Sequence, residues 1–130
     1  MSGTSEVKRV YLAGLWALAF AASAGAEGDA TAGAKVFAQC AACHTVGEGA
    51  QSTVGPVLNG VVGRPAGTFP GYRYSSAMRK SGLTWDEATL TRYLRGPDQV
   101  VPGTKMALAG IATDQDIANV IAHLKQYKAQ

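Results

Sequence analysis

Cys40-Ala41-Ala42-Cys43-His44 is the stretch on which the reading of this 130-residue chain turns. Two cysteines three positions apart, followed at once by a histidine, are compatible with a disulfide, a redox dithiol or a metal site. A structural zinc site needs four ligands, usually drawn from two separated pairs, and these are the only cysteines in the chain. A thioredoxin-like dithiol belongs in a βαβ setting, and no part of the sequence alternates strand and helix patterns. Cys-x-x-Cys-His is the attachment signature of c-type haem. Positions i and i+3 share one face of a helix, so both sulfurs reach the vinyl-derived carbons of one porphyrin edge. His44 then comes to lie beneath the iron with an imidazole nitrogen as proximal ligand.

A haem iron has a sixth position, whose occupant decides between electron transfer and chemistry on small molecules. Beyond residue 26 the chain has one other histidine, His123, and two methionines, Met78 and Met106. His123 falls in the apolar period Ile117, Val120, Ile121, Leu124, which reads as packing. Met78 sits in a short polar helical turn closed by Gly82 and reads as a core plug. Met106 lies in Val101-Pro102-Gly103-Thr104-Lys105-Met106, a run without helical period. There Pro and Gly impose a turn, and a lone apolar side chain must have a reason to point inward. In a chain carrying the haem signature, Met106 is the expected sixth ligand.

Hydrophobic residues make up 47% of the chain and charged residues only 16%, which excludes a disordered polar tail and fits one small domain. Sixteen glycines and five prolines imply much irregular backbone, and a cofactor would hold it in place. The surplus of +3 charges is too small to indicate nucleic acid. Residues 1–26 read as a secretory signal: Lys8 and Arg9 lead, Val10 to Ala22 is apolar, and Ala24-Gly25-Ala26 offers a cleavage site. Cleavage after Ala26 leaves residues 27–130 as the folded domain, in the periplasm. The alternative is a retained anchor, since Val10 to Ala26 is 17 residues, the short limit of a spanning helix.

Periodicity places a first helix from about Asp29 to Cys43, with Gly33 and Phe37 on one face. A second opens at Thr84, where Thr84-x-x-Glu87 reads as a capping box, and stops before Gly96-Pro97. The last opens at Thr113 with Asp116 in its first turn. Residues 45–73 form a loop of 29 residues, a length that argues against an ordinary compact domain and for a chain wound over a flat cofactor.

From about Gly28 to Tyr127 the sequence resembles the class I cytochromes c, mitochondrial and soluble bacterial. The resemblance is carried by Gly33 and Phe37 before the haem motif, then Gly55-Pro56, Gly63-Arg64, Tyr72-x-Tyr74, Thr84-Trp85 and Tyr93-Leu94. Pro102-Gly103-Thr104-Lys105-Met106, followed by Ala109-Gly110, carries it further. It implies an all-α cytochrome c fold, three main helices plus a short one around one covalent haem c, with His44 and Met106 as axial ligands. It implies that the Pro56 carbonyl orients the proximal imidazole, that Arg64, Tyr74 and Trp85 surround a propionate, and that Tyr93 and Thr104 stand near the Met sulfur. Each residue also has a plainer reading, as turn proline, solvated cation or core aromatic.

The function implied is a soluble one-electron shuttle, not an enzyme and expected to be a monomer. Its partners would be membrane redox complexes (a quinol-oxidising complex, a terminal oxidase or a photosynthetic reaction centre) or a periplasmic dehydrogenase. A tethered electron relay and an open-site haem enzyme or gas sensor are the rivals; the first requires the leader to be retained, the second an easily displaced Met106. The sequence departs from the animal mitochondrial pattern at Met78, where an asparagine is usual, and at Leu108 and His123, where aromatics are usual. The last change is expected to weaken the helix contact with Phe37. Asp98 and Gln99 replace basic residues, leaving Lys35, Arg92, Arg95 and Lys105 for a docking face.

Overall fold

The computed structural model describes residues 27–130 and three isolated earlier positions, Gly3, Gly14 and Ala17. The expected leader and its cleavage after Ala26 otherwise lie outside the described residues. Among those residues the chain is helical, without strands: α1 (Ala30–Phe37), α2 (Ser76–Lys80), α3 (Glu87–Arg95), α4 (Pro97–Val100) and α5 (Asp114–Leu124). None of these helices is long and apolar enough to cross a membrane.

Helix α1 starts where Asp29 accepts a hydrogen bond from the Ala32 amide at 2.9 Å. It ends at Phe37 rather than at Cys43 as the sequence suggests. The Gln39 and Cys40 amides turn back to carbonyls three residues earlier, Val36 and Phe37, which tightens the winding beyond the α-helical pattern. The turn nevertheless continues, for the His44 amide bonds the Cys40 carbonyl at 2.9 Å. Both cysteines and the histidine are thus presented on one coil.

Helix α1 crosses α5 with almost no space between backbones. A Cβ on Gly33 would lie 1.9 Å from the Asn119 carbonyl oxygen, so only glycine permits the contact. The buried Asn119 side chain is satisfied there, accepting from the Asp29 amide at 2.8 Å and from the Gln115 amide group at 2.9 Å. Ile117, Val120, Ile121 and Leu124 are buried as their spacing requires, and Thr113 caps the helix. His123 is buried too. Its ring lies 5.1 Å, centroid to centroid, from Phe37 and 5.3 Å from Tyr127, so an imidazole keeps the contact expected to weaken.

The capping box at Thr84 is not formed. Asp86 caps α3, accepting from the Thr89 amide at 2.7 Å, while Thr84 makes an isolated antiparallel bridge with Pro65. Extended backbone is what that pairing demands: the Trp85 amide bonds the Arg64 carbonyl, and the Gly63 amide the Trp85 carbonyl. The helix therefore begins two residues later, and Trp85 is fastened beside Arg64. Residues 45–73 hold no helix, as expected. Side chains tie them down: the Asn59 amide bonds the Gly47 backbone in both directions at 2.8 Å, and Tyr72 donates to the Val54 carbonyl at 2.9 Å. The four-residue α4, with Pro97 at its first position, was not anticipated.

Candidate functional site

The core is built around a cavity of about 540 Å³. Cys40, Cys43, His44, Pro56, Arg64, Tyr74, Trp85, Tyr93, Thr104 and Met106, the ten residues singled out from sequence, all border it. The fold gathers them from the turn after α1, the long loop and the residues just before α2, the approach to α3 with Trp85, the body of α3 with Tyr93, and the segment after α4. His123 does not border it, in line with its packing role. Met78 and Leu108 do; the asparagine position of the mitochondrial pattern is thus an apolar, buried wall.

Cys40 and Cys43 are not joined to each other, and burial pushes the Cys40 thiol above its ordinary value. Among the described residues no group of three or more His, Cys, Asp or Glu side chains could hold a metal ion.

Two adjacent residues, Gly55 and Pro56, position His44. Its Nδ1 lies 2.8 Å from the Pro56 carbonyl oxygen, an atom that only accepts, so Nδ1 carries the proton. Burial lowers the ring's pKa, the Pro56 hydrogen bond opposes this, and the charge of Arg64 adds to the lowering. The imidazole is accordingly neutral at pH 7, with its Nε2 lone pair available. A Cβ at Gly55 would stand 2.6 Å from His44 Cε1 and 2.8 Å from the same Nδ1. The absent side chain makes room for the ring.

A second group of residues is polar. Arg64 donates through Nη1 to the Asn59 carbonyl at 3.1 Å and to the Val57 carbonyl at 3.3 Å, and its guanidinium lies 5.2 Å from the centre of the Phe69 ring. Its Nε is buried without a partner. Burial lowers the guanidinium's pKa, yet arginine keeps its charge in proteins. The Tyr74 hydroxyl accepts from the Phe69 amide at 3.1 Å, and burial raises its pKa, so its own proton is kept for donation. An orphaned cationic N–H and a protonated phenol beside an apolar cavity suit a flat apolar molecule bearing carboxylates, as haem does.

The third wall carries Met106. The Tyr93 hydroxyl lies 2.8 Å from Thr104 Oγ1, which accepts from the Met106 amide at 3.3 Å. Burial raises the Tyr93 pKa, keeping it a neutral hydrogen-bonding group. Tyr93 also packs on Trp85, ring centres 4.7 Å apart. Of the four cations proposed for docking, only Lys105 borders the cavity. Arg95 pairs with Asp114 of α5 and Arg92 reaches the Thr89 hydroxyl at 3.4 Å. Arg73, Tyr72 and Val54, to which sequence reasoning gave no role, border it instead; Val54 is 71% exposed. Nothing local in the sequence distinguishes Val54 and Arg73 from ordinary loop residues, whereas Tyr72 belongs to the Tyr72-x-Tyr74 piece of the resemblance without having been given a role.

With this geometry in view, comparison with known proteins is specific. The family model described as Cytochrome c matches residues 30–128. The chain is 55% identical over 114 residues to cytochrome c2 of Rhodomicrobium vannielii, covering 88% of this chain and 91% of that protein. It is 53% identical over 102 residues to cytochrome c2 of Rhodoblastus acidophilus, covering 78% and 95%. The solved structure of cytochrome cH from Methylobacterium extorquens superimposes with a TM-score of 0.72 at 49% identity, covering 76% of this chain and 99% of that one.

Proposed function

The chain belongs to the cytochrome c family, and from that premise we propose a one-electron carrier whose single haem c, fixed by thioether bonds to Cys40 and Cys43, has His44 and Met106 as axial ligands. The observation that carries this reading is the placing of His44 and Met106 on one cavity, each anchored by its own hydrogen-bonded support. When bound, the haem supplies an iron that alternates between ferric and ferrous states. The rest is the work of the polypeptide. His44 offers a neutral nitrogen in an orientation set by Pro56 and Gly55. Met106 offers a soft thioether, which favours the ferrous state and raises the potential. Arg64, Tyr74 and Trp85 would hold its propionates. Trp85, Tyr93, Leu90, Leu94 and Met78 keep water out, so little has to reorganise when the charge changes.

The absence of any Asp or Glu among the described residues bordering the cavity supports a carrier over an enzyme. No carboxylate stands ready to move protons for peroxide or substrate chemistry. The partners we propose are a quinol-oxidising complex, a terminal oxidase, a photosynthetic reaction centre or a periplasmic dehydrogenase, with export and processing after Ala26 placing the protein in the periplasm as a soluble monomer. The decisive experiment is the sulfur-to-iron charge-transfer band of the ferric holoprotein. It should be present at neutral pH and absent in Met106→Ala, which should also bind carbon monoxide and show a lower potential, while Met78→Leu should change neither. A band that survives in Met106→Ala removes Met106 from the iron and makes an open-site haem protein the better reading.

A further inference from the structure

The chain has two asparagines, Asn59 and Asn119, and Asn59 is followed by glycine. In an Asn-Gly pair the side-chain amide is open to attack by the next main-chain nitrogen, because glycine has no Cβ to obstruct the approach and turns its peptide freely. This fold holds the pair still. The Asn59 side chain is buried, with Oδ1 accepting from the Gly47 amide and Nδ2 donating to the Gly47 carbonyl, each at 2.8 Å. The Gly60 nitrogen, which would attack, donates to the Tyr127 carbonyl oxygen at 2.8 Å. Ala129 is seated against Gly60, so closely that a Cβ there would stand 2.8 Å from its backbone. The covering residues are thinly attached. Helix α5 ends at Leu124, and among the described residues the exposed Lys128, Ala129 and Gln130 send no amide to a backbone carbonyl. Gln130 Nε2 adds a bond to the Gly47 carbonyl at 3.1 Å. A groove bordered by Glu48, Lys128 and Asn59 itself admits water beside the pair.

We propose that Asn59 is a deamidation site guarded by residues 127–130, and that its isoaspartyl product draws Arg64 away from the cavity. When the segment lifts, the Gly60 nitrogen is freed and bonds Cγ of Asn59. The Cγ–Nδ2 bond breaks, and Nδ2 leaves as ammonia, taking the proton of the Gly60 amide by way of water. Water then opens the cyclic imide. Opening at Cγ gives aspartate in an ordinary main chain. Opening at the other carbonyl gives isoaspartate, in which the main chain runs through Cγ and the former main-chain carbonyl is a free carboxylate. That carbonyl oxygen is the one to which Arg64 Nη1 donates at 3.1 Å. As a carboxylate it would bind the guanidinium by a charge-assisted bond and compete with a propionate, and its negative charge would favour ferric iron. This consequence rests on the reading of Arg64 as a propionate partner. The rate is set by local opening of residues 127–130, not by unfolding of the whole domain.

The test holds the haem-loaded protein at mildly alkaline pH and follows the exchange of amide for acid at Asn59 by peptide mass mapping, with isoaspartyl methyltransferase labelling for the rerouted share. Gln130→Ala removes one exposed hydrogen bond and should speed the conversion about fivefold; deleting residues 128–130 also removes the Ala129 seat and should speed it about tenfold or more. Asn119 should stay intact throughout. Tyr93→Phe, which weakens the fold elsewhere, should leave the rate at Asn59 unchanged. An intact Asn59 in the deletion variant overturns the site. Wild-type rates in both variants, or an equal acceleration in Tyr93→Phe, overturn the guard. By voltammetry the isoaspartyl fraction should show a lower potential, and Asn59→Asp, which adds a charge without rerouting the main chain, a smaller change. An isoaspartyl fraction with unchanged potential overturns the effect on Arg64. Arg64→Leu in fresh protein should itself lower the potential, and a wild-type value there overturns the propionate reading, whichever way the conversion rates fall.

Discussion

His44 and Pro56 meet through a 2.8 Å contact between the imidazole Nδ1 and the proline carbonyl oxygen, with Gly55 lying directly against the same ring. The residue that brings the carbonyl into place is the neighbour of the residue that yields space for the imidazole. Orientation of the ring and the absence of a side chain are therefore two requirements on one dipeptide.

Gly55→Ala should be severely disruptive although its backbone needs no left-handed conformation. The added methyl would stand 2.6 Å from Cε1 and 2.8 Å from Nδ1 of His44, so the ring or the loop must move. Overpacking of this kind costs about 1–3 kcal/mol. The expectation is a lower denaturation midpoint of the holoprotein and a shifted potential, because the Nδ1 bond to Pro56 is lost with the displacement. Urea titration with voltammetry checks both, and an unchanged potential would separate packing from ring orientation.

Tyr93→Phe should destabilise the holoprotein by about 1 kcal/mol, the net value of one buried hydrogen bond. Thr104→Val should cost more, because Thr104 Oγ1 also accepts from the Met106 amide. The two losses should not add, since the Tyr93–Thr104 bond is counted in both. A double-mutant cycle from urea unfolding measures the coupling, and strict additivity would show that the 2.8 Å contact carries no energy.

Asp86 should make stability pH-dependent in acid. Its carboxylate caps α3, and hydrogen bonds from the Thr89 amide and the Thr89 side chain hold its pKa below the ordinary 3.8. A folded-state pKa below the unfolded value means the contribution is complete above about pH 3.8 and is lost as pH falls through the lower, folded value. Asp86→Asn keeps a cap without the charge and should flatten this part of the profile. Thermal midpoints between pH 5 and 2 would reveal a profile unaltered by the substitution if the cap charge is immaterial.

Removing the cofactor should abolish cooperative folding. Without a guest, the apolar residues that line the 540 Å³ cavity lose their packing partners, and a domain of this size has little other core to compensate. The Cys40→Ser and Cys43→Ser double variant, made without haem, should melt without a sigmoidal transition in circular dichroism. A sharp transition would show that α1, α3 and α5 pack without a guest.

The haem motif, its proximal histidine and the Pro-Gly run before Met106 were legible because each is a local pattern with a local mechanical reason. The apolar stripe of α5 and its Thr113 cap were legible for the same cause. Helix ends were read less well where two local signals compete. Thr84 and Asp86 both offer side-chain caps, and the choice falls to Asp86 because the Thr84 backbone is engaged with Pro65, a residue 19 positions away. The early end of α1 belongs with this: the turn to Cys43 tightens where the backbone has to present two sulfurs and a ring to one cavity.

By itself the sequence determined the haem motif, the candidate sixth ligand and the helical periods, since those follow from spacing and residue chemistry along short stretches, while Pro56, Arg64, Tyr74, Trp85, Tyr93 and Thr104 were expected at the site from the resemblance to the class I cytochromes c. Only the tertiary structure decided which cations are engaged elsewhere, that Gly33 and Gly55 are demanded by close approach, that His123 fills the place of an aromatic against Phe37, and that Lys105 reaches across to Arg73. Each of these depends on distances between segments far apart in the chain. Such distances are set by the simultaneous closure of α1 on α5 and of the long loop over the cavity, and no local pattern encodes them.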